Sequence, residues 1–402
     1  LRRVVITGRG VVSAFGIGVE GFWAGLAKGR CAIGPIANFP TDRLTVKIAG
    51  EVPGFDPAAH FDTRRIGLMD RVSQFAVVAS REAVAQSGLS FADDVGTRTA
   101  TIIGTGVGGM IAVDDSYKKL YGENGQRVHP FTIPRFMANA PTSHITMEHG
   151  LTGPAYTIAS ACASATHAIG HAYQLVRAGV VEAAVTGGAE SCITFGTMKG
   201  WEAMRVMSAE CCRPFSRNRN GMVLGEGAAV FVLESLESAH ARGADILAEV
   251  IGIGMSADAR DITAPDVKGA ARAISAALAC ARLNPEDVQY VNAHGTGTAA
   301  NDATETRAIH QAFGFHARRL AVSSSKSMFG HALGAAGALE LLATVEALRH
   351  GVVPPTVNFG DPDPECDLDY VPDTARDQNI RVALSNSFAF GGLNGVLAVA
   401  KI

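Results

Sequence analysis

Residues 151–176 contain no Asp, Glu, Lys or Arg, and this run limits what the chain can become more than any other. Its length would cross a membrane if it were apolar, yet Pro154, Ser160, Ser164, Thr166, His167, His171 and Gln174 interrupt it. A helix with few charges on any face belongs instead between layers of a large globular protein. Within the run, a β-branched approach at 156–158 leads to Ser160-Ala161-Cys162. Apolar Ala165, Ala168, Ile169, Ala172, Leu175 and Val176 then recur at helical spacing up to Gly179. The pattern predicts strand, tight turn and helix, with Cys162 at the turn. A thiol at a helix N-terminus lies at the positive end of the backbone dipole, so a lowered pKa and a nucleophilic role are expected. The alternative is a small buried hydrophobe among alanines.

Strand and helix signals alternate along the rest of the chain. Strands are expected at 3–7, 99–103 and 183–186 and in the GMVLGEGAAVFVLE run, with helices at 20–28 and 69–87 and a mobile segment around Tyr117, Tyr121 and Pro130. The second half replays this order. Strands at 246–253, 288–292, 320–323 and 382–385 end in GIG, AHGTGT, SSKSMFGHALGAAG and FAFGG, with helices at 269–281 and up to Gly351. Identity between the halves is low, and Cys162 to Gly179 spans 17 positions where Lys326 to Gly351 spans 25. The expectation is therefore a duplicated α/β architecture with an inserted loop, divided into 1–245 and 246–402. Alternation predicts mostly parallel sheets, and helices starting near Cys162 and Ala332, both taken as uncharged, suit a central layer.

Strand C-termini are where sites assemble in α/β sheets, so Cys162, His294, Lys326 and His331 can converge from distant positions. Singly, each histidine can cap a turn and the lysine can be solvated. The GTGVGGM run at 104–110 lacks a suitable acidic residue downstream and reads as turn glycines at a crowded cleft rather than a nucleotide loop. Seven scattered cysteines (31, 162, 192, 211, 212, 280, 366) include no C-x-x-C pair, which indicates neither a disulfide framework nor a zinc site. Hence a cytoplasmic setting and no metal are expected. A net charge of -3 argues against a broad nucleic-acid surface. The opening LRRVVITGRG lacks the pattern of a secretory signal.

SACAS, NAHGTGT and SKSMFGHALGAAG in this order, with VVITGRGVVSAFG near the start and LSNSFAFGGLNG near the end, give the chain its resemblance to the β-ketoacyl-[acyl-carrier-protein] synthases of the condensing-enzyme family, synthase II type. Two histidines set it apart from the Cys-His-Asn branch. The segments CRPFSRNRNGMVLGEG, SADARDITAPDV and DPDPECDLDYVP look particularly like the nodulation protein E subgroup. The resemblance implies a thiolase-type five-layer αβαβα fold, a homodimer, and no cofactor beyond the phosphopantetheine arm of acyl carrier protein. It also implies decarboxylative condensation of an acyl-enzyme with malonyl-[acyl-carrier protein].

By the same resemblance Cys162 is the nucleophile, with its own amide and that of Phe390 as oxyanion hole. His294 and His331 donate to the enolate, and Lys326 supports them, paired with Glu340. Thr263, Thr296, Thr298 and the Ala300 backbone hold the phosphopantetheine. Phe390, beside Phe388, is the gate, and Arg64, Arg65, Arg127 and Arg205 meet the acidic carrier. The sequence departs from the family pattern at Ala389, expected to stiffen the gate, at Arg260-Asp261, at Leu393 and at Gly67-Leu68. A thiolase would need a second reactive cysteine, for which Cys366 is poorly placed; a silent chain-length subunit would lack Cys162.

Overall fold

The computed structural model describes residues 1–402, apart from the Asp93 side chain. Five strands of the first half are β1 (Val4–Ser13), β2 (Thr99–Gly104), β3 (Ala155–Ile158), β4 (Ala183–Glu190) and β5 (Gly227–Ser235). Five of the second half are β6 (Ala248–Ala257), β7 (Tyr290–Asn292), β8 (Ala321–Ser323), β9 (Val382–Ala389) and β10 (Leu393–Ala400). They form one continuous sheet in the order β8-β7-β9-β10-β6-β1-β5-β4-β2-β3, so each half repeats the same order outward from the centre. The halves join where Val4, Val5 and Ile6 of β1 pair with Val250, Glu249 and Ala248 of β6.

The sheet is not mostly parallel. Pairs β2–β3, β2–β4, β7–β8 and β7–β9 are parallel, but β1, β5, β6 and β10 make antiparallel contacts throughout, as do β4 with β5 and β9 with β10. The sequence reading stopped at FAFGG, whereas the following turn returns the chain as β10 beside β9.

Six helices complete the layers: α1 (Arg71–Ser87), α2 (Ser164–Ala178), α3 (Phe195–Ala203), α4 (Val267–Ala281), α5 (Ala299–Phe313) and α6 (Ala336–His350). On one outer face α1 covers β1 and β5; on the other α4 covers β6 and β10, backed by α5. Between them α2 and α6 touch strands of both halves and each other, giving the five-layer αβαβα arrangement. A Cβ on Gly337 would lie 2.1 Å from Thr166 Oγ1, so the two central helices meet this closely only with glycine there.

Two expectations about this central layer change. Helix α6 is not uncharged: Glu340 and Glu346 lie buried within it. Lys326 pairs with the first, and Arg9 with the second at 2.5 Å. The matching anchor for Cys162 is Gly334, not Lys326. Cys162 sits in the short turn Ala161–Ala163 before α2, and Gly334 in the turn Leu333–Ala335 before α6. Each turn opens on a non-glycine residue with positive φ, Ala161 at 49° and Leu333 at 41°. Each following helix ends at a left-handed glycine 17 positions beyond its anchor, Gly179 or Gly351. The extra residues therefore precede the second turn: only 159–160 separate β3 from its turn, but 324–332 separate β8 from its own. That insertion carries Lys326 and His331.

The segment read as mobile is largely helical, with Met110–Tyr117, Lys118–Gly122 and Thr132–Phe136. Its anchor is the buried Asp70, which accepts the Ala112 amide at 2.6 Å while capping α1 through Val72 N–H at 3.1 Å. No helix among the described residues is long and apolar enough to cross a membrane.

Candidate active site

A left-handed Ala161 costs roughly 1–2 kcal/mol for a residue with a Cβ. Local bonds hold it: Ser164 Oγ donates to Ala161 O at 2.7 Å and accepts the Ser160 amide at 2.8 Å. The turn presents Cys162, only 7% exposed, with its Sγ 3.1 Å from His331 Nε2. The Phe390 amide is near enough to the same sulfur to favour its charged form. The thiol is not acidified. Burial pushes it up to about 11, against the pull of Lys326 and the Phe390 N–H. The helix terminus anticipated from sequence is present, but removing a thiolate from water outweighs it.

His294 leaves the end of β7 toward the sulfur from the other half. Glu305 of α5 accepts the His294 and Gly295 amides, both at 2.8 Å, which fixes the turn. Lys326 Nζ donates to His294 O at 2.6 Å and faces His294 Nδ1 at 3.3 Å. An ammonium offers only protons, so Nδ1 accepts and the imidazole proton sits on Nε2. Burial, then Lys326, then His331 hold His294 well below its ordinary pKa, and burial with Lys326 does the same to His331. Both rings are neutral near pH 7. His331 Nδ1 is buried without a hydrogen-bond partner among the described residues. A bare acceptor tolerates that better than an N–H would, which puts the His331 proton on Nε2 as well, facing the sulfur. The two rings lie edge to face with centroids 5.3 Å apart.

Behind them Lys326 and Glu340 form an ion pair, both side chains 0% exposed. Burial raises the Glu340 carboxyl and Lys326 holds it back. The nearest ligand atoms of Cys162, His294 and His331 lie within 4.8 Å of one another, a spacing a soft cation could use. The lysine ammonium beside His294 sets the local field against a cation and toward developing negative charge.

A cavity of about 460 Å³ is lined by Cys162, His294, His331, Phe388 and Phe390 together with Thr263, Thr296, Thr298 and Ala300. Thus the structure gathers every expected residue of the reacting centre and of the phosphopantetheine path, with Lys326 and Glu340 directly behind. Thr296 and Thr298 share a hydroxyl contact of 2.9 Å. The four arginines are not among the lining residues: Arg64, Arg127 and Arg205 are exposed, and Arg65 is paired with Glu148 at 2.5 Å. Cys366 is buried in a separate cluster with Phe215 and Tyr370, away from the thiol.

Residues 1–239 match the beta-ketoacyl synthase N-terminal domain and residues 247–360 its C-terminal domain. The chain belongs to the β-ketoacyl synthase family. The synthase is 47% identical over 401 residues to a nodulation protein E of Rhizobium sp. (strain N33), covering 100% of both chains. It is 44% identical over 412 residues to a 3-oxoacyl-[acyl-carrier-protein] synthase 2 of Synechocystis sp., covering 100% of this chain and 98% of that one. Among solved structures it is similar to AntDE:AntF, described as a type II polyketide acyl-carrier protein in complex with its ketosynthase bound to the hexaketide, with a TM-score of 0.89, 30% identity and 100% coverage of both chains.

The synthase's cavity also holds groups that motif reading passed over. Trp201, Met204, Val206, Met222, Ile262 and Asn301 are among its other lining residues. Asp258 and Asn394, joined at 2.7 Å, tie the segment carrying Thr263 to β10. Trp201 stands on the short helix α3, FGTMKGWEA, beside the charged Glu202.

Ala389 does not strain the turn that carries Phe390. It is the last residue of β9, paired with Leu393, and its φ is not positive. The left-handed positions are Gly391 (φ 83°) and Gly392 (φ 67°).

Proposed function

We propose that this chain condenses an acyl group with malonyl-[acyl-carrier protein]. The Cys162 sulfur attacks the acyl thioester of a loaded carrier, the carrier thiol leaves with the cysteine's proton, and an acyl-Cys162 thioester remains. Malonyl-carrier then loses carbon dioxide. The electron pair of the broken C–C bond becomes an enolate, and its carbon attacks the acyl-Cys162 carbonyl. Products are 3-oxoacyl-carrier, two carbons longer, and the free Cys162. In this reading the Phe390 and Cys162 amides face the tetrahedral oxyanion, and the Nε2–H groups of His294 and His331 face the enolate oxygen. The observation that carries it is the meeting of the Cys162 sulfur, the Phe390 amide and two neutral imidazoles on the lining of one cavity. Both groups of relatives align end to end, so the conclusion rests on the chemistry common to them.

The same reading assigns Thr263, Thr296, Thr298 and Ala300 to the phosphopantetheine arm and acyl carrier protein as partner, with Arg205, next to the cavity residue Met204, as the carrier contact this reading favours. It divides the halves at 245/246 and sets the protein in the cytoplasm, in keeping with its free cysteines. It also includes a homodimer. Among the described residues β3 pairs only with β2, leaving one strand edge open, and Tyr117, Tyr121, Phe131 and Ile133 are exposed on the segment that leads back to it.

The test is mass spectrometry of the intact protein with acyl-carrier, then with malonyl-carrier. An acyl mass on Cys162, discharged as 3-oxoacyl-carrier, is expected. A protein that never takes the acyl group refutes the reading.

A further inference from the structure

The Phe390 ring has one aromatic neighbour among the described residues, Trp201, with centroids 5.8 Å apart and planes tilted by 33°. Both rings line the cavity that contains Cys162. Their supports differ in kind. Trp201 rides on α3, which is tied down at several points. Glu202 accepts the Thr45 and Val46 amides at 2.6 and 2.8 Å, and Met198 is buried in the core below. Phe390 sits on the turn between β9 and β10, followed by the two left-handed glycines Gly391 and Gly392. That turn is held to the 258–262 segment by two backbone bonds, Gly391 N–H to Ile262 O at 2.8 Å and Asp258 N–H to Gly392 O at 2.9 Å, both on the glycines and neither on the Phe390 side chain. One ring is therefore a fixed platform and the other stands on a pliable turn.

We propose that Trp201 is a positioning residue for the condensation, a latch that holds the Phe390 ring closed beside Cys162, so that seating a long acyl chain requires parting the two rings. The inference rests on the condensing-enzyme reading and adds to it a determinant of chain length. A two-carbon acyl group makes no such demand, whereas a long chain must displace Phe390 to pass. A tilted aromatic pair contributes about two- to tenfold to an equilibrium beyond its buried area. Trp201 thereby sets the ratio of long-chain to acetyl transfer.

Trp201 also provides the probe. The chain has two tryptophans, and the other, Trp23, stacks on His350 at 5.0 Å, outside the cavity. A Trp23→Phe protein emits from Trp201 alone. In it, loading with a sixteen-carbon acyl-carrier is expected to shift the emission at the rate at which mass spectrometry records acyl on Cys162, and acetyl-carrier to leave the emission in place. Trp201→Leu is expected to raise the ratio of long-chain to acetyl acylation rates about two- to tenfold, and Trp201→Phe, which keeps a ring, to stay nearer the parent. Unchanged emission while Cys162 carries the long chain overturns the latch, as does an unchanged ratio in folded Trp201→Leu. If Trp201→Leu fails to fold, the emission measurement decides. A parent protein that acylates Cys162 with neither substrate refutes the condensing-enzyme reading itself, and the latch falls with it.

Discussion

Replacing Lys326 by Met tests how the buried charge behind the histidines is balanced. The Lys326 ammonium and Glu340 carboxylate are both 0% exposed and paired, so Lys326→Met keeps much of the side-chain volume and leaves one charge without its partner. Breaking a buried pair in this way costs about 3–5 kcal/mol, a large fraction of the stability of most domains. Removing both charges, as in Lys326→Met/Glu340→Leu, should recover most of that loss, since no uncompensated group remains. The sign of the pH dependence follows from Glu340. Burial raises its carboxyl to about 7 even with Lys326 opposing, and without the lysine it rises further. A carboxyl whose folded pKa exceeds its unfolded value, about 4.3, loses stability as pH rises between the two. The intact protein has passed through its window near pH 7, but the single variant continues to lose stability above it. Calorimetric unfolding at pH 6 and pH 8.5 should show the deficit of Lys326→Met growing with pH, and that of the double variant, which carries neither buried group, not growing. Equal stability of single and double variants, or a Lys326→Met deficit that shrinks with pH, would refute the argument.

Iodoacetamide should alkylate Cys162 at a rate that keeps climbing past pH 9, because burial holds the thiol near 11; a plateau by about pH 8 would mean a far more acidic thiol. His294→Ala should acylate Cys162 yet lose about 10²–10³ in malonyl decarboxylation, the usual cost of one missing donor. His331→Ala should lose as much decarboxylation and also acylate slowly, since its Nε2 faces the sulfur at 3.1 Å; rapid-quench mass spectrometry separates the steps, and equal acylation in both variants would show that His331 does not assist the thiol. Ala389→Gly should leave acylation within about twofold, as the alanine occupies ordinary strand backbone, whereas Gly391→Ala should destabilise the turn by roughly 1–2 kcal/mol at its left-handed φ. A large effect of the first and none of the second would relocate the hinge.

The reacting centre was legible because the chemistry dictates residue types at strand ends: a cysteine before a helix, histidines among glycines, a lysine in a serine-rich turn. Duplication was legible too, but its register was not. Lys326 looked like the counterpart of Cys162 because both are reactive, while the actual counterpart, Gly334, has no side chain to attract notice. Strand direction was lost for a related reason. A buried central strand has the same apolar pattern whether its neighbours run parallel or antiparallel, and β10 followed so tight a turn that it was not separated from β9. Periodicity also concealed Glu346 of α6, whose partner Arg9 is remote in sequence, while Glu340 was expected only as what the resemblance implies for Lys326. The thiol's pKa depended on complete burial, which local sequence does not report, and Trp201 belongs to no reactive motif.

Gly334 shows how a doubled fold escapes being doubly functional. A Cβ there would lie 2.1 Å from Gly106 N and 2.6 Å from Glu190 Oε2, and the Gly334 amide is already donated to that carboxylate at 2.9 Å. The second turn is therefore spent as a buttress for the first half, closed to any side chain, and the Lys326–His331 insertion ahead of it reaches across to the one nucleophile that remains. Function here depends on broken symmetry. A change at either turn is felt once per chain and in a different way, and because each turn bears on the other half, neither copy is free of its partner.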